Sequence, residues 1–174
     1  MPKLIRNGRV VDDSAEILVL DETQAPEALT LPEGQVFVPL AVWQAHKGML
    51  SGRAGVGVWL DSHESVEDLA EDLESLSAVA LNFPKFTDGR AYSGAALLRS
   101  RYAFKGEVRA IGDVLRDQFF FMQRCGFDTL QPKAGKYSDA QLEEAVASLK
   151  DFSSPYQAAI DQPEPLFRRA QRVA

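Results

Sequence analysis

The chain has 174 residues, 45% of them hydrophobic and 25% charged, the balance of a globular protein with one domain and a sizeable core. A net charge of −6 argues against a nucleic-acid partner, and no apolar run approaches the ~18 residues of a membrane span or forms the core of a signal peptide. The single Cys125 excludes an internal disulfide and any paired-cysteine metal or redox motif, which makes a cytoplasmic bacterial protein the simplest class.

In chain order, Leu4-Ile5-Arg6 and Arg9-Val10-Val11 flank Asn7-Gly8, the pair best suited to a type I′ turn, so the N-terminus reads as a β-hairpin. Residues 13–34 read as an acidic loop interrupted by Ile17-Leu18-Val19-Leu20. Residues 36–40 form a short strand or an extended entry to a helix over 40–50 that ends near Gly52. From Gly55 a rhythm sets in. Strand patterns at 56–60, 79–81, 108–111 and 127–130 alternate with helical stripes. Those stripes are Val66, Leu69, Ala70, Leu73 and Leu76, then Ala91, Ala95, Leu98 and Tyr102, then residues 114–125, and finally Leu142, Ala145, Val146 and Leu149. The last opens on Ser138 and Gln141 at capping-box spacing. The pattern predicts an α/β fold with a mainly parallel sheet, open or curled like part of a barrel. It places one domain at 1–150 and a loosely attached tail, with Pro155, Pro163 and Pro165, at 151–174.

Right-handed crossovers bring every parallel strand's C-terminus to one edge, where α/β ligands bind. The segments that should meet there are Asp61-Ser62-His63, residues 83–90, Gly112-Asp113 and Gln131-Pro132-Lys133. Lys85, Arg90 and Lys133 supply positive charge, and a helix starting near Gly89 offers free backbone N–H groups, which suits a small anion. Asp88 and Asp113 would hold the basic groups. They also read as helix caps, with Asp113 capping the helix that begins at Val114, and Gly89 reads equally as relief for a tight turn.

Other candidates point to packing. His46 and His63 lack a ligand-spaced partner, so no metal site is expected. Cys125, at a helix C-terminus, reads as an inert buried thiol. Ser93 has no base at hand, and Gly55-x-Gly57 precedes no phosphate loop. No motif demands a cofactor, although a loosely held nicotinamide or flavin stays open. Phe119-Phe120-Phe121-Met122 covers most of a helix circumference, since successive residues point about 100° apart. Phe119 should face the core. Phe120 or Phe121 then needs cover from the tail's Phe152, Tyr156, Leu166 and Phe167, from a second copy, or from a partner.

Three stretches carry a family resemblance: Phe83-Pro84-Lys85-Phe86-x-Asp88-Gly89-Arg90, the run from Gly106-Glu107 through Gly112-Asp113-Val114-Leu115 to Asp117-Gln118, and Arg124-Cys125-Gly126-Phe127-Asp128. Over about residues 36–150 the chain resembles an uncharacterised bacterial domain family, labelled as oxidoreductases of sulfite reduction and often encoded beside assimilatory sulfite reductase. The resemblance implies a role in sulfur assimilation, with sulfite reductase or another enzyme of that route as partner. Sulfite reduction needs metal and haem-type cofactors, and one cysteine cannot hold an iron–sulfur cluster. An accessory role is therefore expected. The alternative is a small enzyme in which Lys85 polarises an anionic substrate, Arg90 clamps it, and Asp113 or Asp88 acts as acid or base.

Overall fold

The computed structural model describes residues 2–21, 24–151 and 155–169. Eight strands form one sheet: β1 (Lys3–Arg6), β2 (Arg9–Asp12), β3 (Glu16–Ile17), β4 (Val36–Pro39), β5 (Val56–Leu60), β6 (Ala78–Phe83), β7 (Glu107–Gly112) and β8 (Thr129–Leu130). Their order is β2-β1-β8-β7-β6-β5-β4-β3. All pairs from β3 to β8 are parallel, while the β1–β2 hairpin joins antiparallel through Ile5 opposite Leu130. Asn7 and Gly8 both take positive φ (50° and 70°), as a type I′ turn requires.

The sheet is curled like half a barrel, and chain connectivity requires it. Eight flat strands would span roughly 34 Å at the usual spacing. Yet the two edge strands, β2 and β3, are joined by Asp13, Ser14 and Ala15 alone, which reach no more than about 14 Å even when extended.

Consecutive parallel strands lie side by side, so every crossover falls on the same face. That face carries the main core, from Ile5, Val38 and Val58 to Val79, Leu81 and Val108. Helices α1 (Leu40–Leu50), α2 (Arg90–Ser100), α3 (Phe119–Cys125) and α4 (Asp139–Ser148) contribute Trp43, Leu98, Met122 and Leu142 to it. The inside of the curl holds a smaller cluster of Phe37, Ala78, Ala80 and Ile111, with Ala15, Ile17 and Trp59 packed against it. A last short helix, α5 (Leu166–Arg169), closes the described tail.

Three local expectations change. Between β5 and β6 the apolar stripe is buried as expected, but as two 3-10 turns, Val66–Leu69 and Leu73–Ser75, rather than a helix. Asp72 lies between them and accepts hydrogen bonds from Trp43 Nε1 (2.8 Å) and Lys47. This tertiary contact overrides local propensity. Asp72→Ala should cost about 1–3 kcal/mol in urea unfolding, because it strands the buried indole N–H. The third helix starts at Phe119, after a 3-10 turn at Arg116–Gln118, rather than at Val114. The described tail is fastened rather than loose: Arg124 donates to the Gln157 carbonyl (2.6 Å), and its own carbonyl accepts from Ile160 N–H (3.0 Å). Phe152 lies outside the described residues.

Candidate functional site

The C-terminal ends of β5 to β8 converge with the loops that follow them. β6 runs into Pro84 and a turn closed by Asp88 N–H to the Lys85 carbonyl (2.9 Å), and α2 then begins at Arg90. Asp88 accepts the Arg90 backbone N–H (3.2 Å) and two guanidinium bonds (3.0 and 2.6 Å). Arg90 also donates to Ser62 Oγ (2.9 Å) on the neighbouring β5 loop. The side-chain bonds from Arg90, then its backbone N–H, hold the Asp88 carboxyl far below the usual range. Asp88 is thus both a local cap and the anchor of Arg90. Gly89 has φ −93°, which any residue can adopt, so it relieves no strained turn. Its missing side chain leaves the helix N-terminus open, and only the Tyr92 ring would lie within 4 Å of an added Cβ.

Asp113 corrects its reading as a helix cap. At the end of β7, Gly112 takes φ +91° and turns the chain so that Asp113 N–H meets the Phe83 carbonyl at 2.7 Å. The Asp113 carboxylate then accepts from Phe86 N–H (2.9 Å) and Lys136 Nζ (2.6 Å). It pins the β6 loop to the β8 loop, and α3 has no side-chain cap. Lys136, then the Phe86 N–H, lowers the Asp113 pKa, with Lys133 adding a weaker pull. Lys136 was missed by sequence reasoning, although it shares a loop with Lys133.

Lys85, Asp88, Gly89 and Arg90 line one shallow depression, whereas Lys133 lies on the other side of Asp113, in a separate cavity beside the N-terminal hairpin. The ammonium groups of Lys85 and Lys133 make no hydrogen bond or ion pair among the described residues.

The aromatic run divides as its periodicity predicts. Phe119 is buried in the core. Phe120 is half-buried and lines a shallow depression together with Leu115, Tyr137 and Leu149. Phe121 is 54% exposed, with its ring 5.0 Å from that of Tyr92. Phe86 is 52% exposed, and Gln118 on the turn before α3 donates to its carbonyl (2.9 Å). Burial, then the charges of Cys125 and Asp117, pushes the Tyr92 phenol up to about 12. Burial likewise raises the Cys125 thiol, the direction of an unreactive group. His46 Nε2 donates to the Pro26 carbonyl (3.0 Å), a structural bond.

Residues 57–167 match the family model described as a bacterial protein of unknown function, DUF934. The chain belongs to this family. No curated protein and no solved structure matches it. The DUF934 segment includes β6, β7, β8 and every site residue named above, but not the hairpin, β3 or β4. No described helix of this DUF934 chain is long and apolar enough to cross a membrane.

Proposed function

We propose that the protein is an accessory factor of assimilatory sulfite reduction, binding a small anion at the C-terminal edge of its sheet and docking on the reductase or an adjacent enzyme of sulfur assimilation. The observation that supports anion binding is the pair of ammonium groups, Lys85 and Lys133, that make no hydrogen bond or ion pair among the described residues and follow the strands on either side of Asp113. The pathway rests on the family resemblance over about residues 36–150. Binding is favoured over catalysis because a general acid or base works best with a pKa near working pH. Asp88 and Asp113 are both held below the ordinary carboxylate range by their cationic partners. The docking surface in this reading is the exposed pair Phe86 and Phe121.

Titration calorimetry with sulfite, sulfate and phosphate tests the anion site. Lys85→Ala and Lys133→Ala should each weaken binding, whereas Asp113→Asn, which frees Lys136, should strengthen it. Equal affinity in all four proteins rejects the site. Direct binding to purified assimilatory sulfite reductase tests docking. Phe121→Ser should abolish it while shifting stability by no more than about 1 kcal/mol, since the ring is half in solvent. Unchanged binding rejects the surface.

A further inference from the structure

We propose a second ligand site, for a small organic acid with an apolar body, in the cavity between the N-terminal hairpin, the 131–137 loop and α4. The cavity measures about 360 Å³, within the size range of small-molecule sites. Its wall is mixed: an apolar part is made by Leu4 and Leu142, both buried, with Pro132 and the Tyr137 ring. Most of its polar and charged groups are satisfied. Asp13, at the inner end, is held by Arg6 and Arg109. At the rim Lys3 pairs with Asp139 at 2.9 Å. Two donors remain. The Gln131 carbonyl oxygen accepts from Arg109 (2.9 Å), which leaves the amide NH₂ without a partner among the described residues. Lys133 is the charged group of the lining that makes no hydrogen bond or close ion pair among the described residues, with Asp113 acting on it only at longer range. An ammonium and an amide NH₂, two residues apart beside the apolar part of the wall, suit a carboxylate on a ring or short hydrocarbon. An inorganic anion would leave that part unused.

Residue-resolved NMR on the full chain tests this with benzoate, benzyl alcohol and sulfate as probes. Benzoate should produce saturable shifts at the amides of Gln131, Lys133 and Gly135, and the alcohol should not. Lys133→Ala, a change at an exposed residue, should weaken benzoate by about tenfold or more, the worth of a charge-assisted hydrogen bond. Lys85→Ala should leave benzoate binding unchanged, which separates this site from the open edge. No shift with benzoate, an equal response to benzyl alcohol, or a dependence on Lys85 in place of Lys133 would overturn the proposal. Loss of sulfite binding with benzoate binding intact would reject only the sulfur-assimilation reading.

Discussion

Arg109→Met is expected to cost about 3 kcal/mol in urea unfolding, the order of breaking a buried ion pair. Arg109 is 1% exposed and Asp13 4% exposed. The guanidinium meets Asp13 at 2.7 Å and Glu107 at 2.6 Å, bonds Gln131, and sits 4.5 Å from the centre of the Phe37 ring. Gly57 lies under that ring, where a Cβ would meet it at 2.7 Å. Losing the arginine leaves a carboxylate inside the curl with only Arg6 for company. Arg109→Met combined with Asp13→Leu should recover most of the loss, because the penalty lies in the unpaired charge. Acid titration gives a second readout. Burial alone would raise the Asp13 pKa, but the hydrogen bonds and charges of Arg109 and then Arg6 bring it below its ordinary 3.8. A lowered folded-state pKa means the pair stabilises fully above that ordinary value and is lost as pH falls through the lowered one. In Arg109→Met this acid limb should shrink. An identical acid limb in both proteins would show that Asp13 does not drive it.

Gly112→Ala should destabilise by roughly 2 kcal/mol or more, through left-handed strain and backbone overlap together. At φ +91° an added Cβ would lie 2.4 Å from the Phe83 carbonyl oxygen and 2.4 Å from Asn82 Oδ1. The same turn aims Asp113 at the Phe86 N–H and Lys136. The variant should therefore also loosen the tie between the β6 and β8 loops, whereas Gly89→Ala, at an ordinary φ, should fold like the wild type. Wild-type melting of Gly112→Ala would contradict the geometry of this strand end.

What could be read from the sequence follows from what is local. The hairpin turn, the α4 capping box and the parallel strands from Gly55 onward are set by neighbouring residues, and the structure has all of them. The division of the phenylalanine run followed from helical geometry alone. The 66–76 segment escaped because Asp72 answers to Trp43, 29 residues away. Asp113 resembled a cap because it precedes an apolar helix. Its actual partners come from the β6 and β8 loops, 27 and 23 residues distant. The Asp13–Arg109 pair joins residues 96 apart, and a two-residue strand such as β3 carries too little periodicity to register.

The placement of β1 also governs the order in which the molecule can assemble. Its partner β8 lies more than 120 residues downstream, so a growing chain holds the hairpin with one ladder open until that whole intervening stretch has been made. Contacts of such span fold slowly, because loop closure must precede any gain from pairing. Until β8 arrives, Asp13 on the link and Arg109 on β7 cannot settle into a finished interior. The exposed hairpin edge is then the part of the nascent chain most open to pairing with the wrong strand.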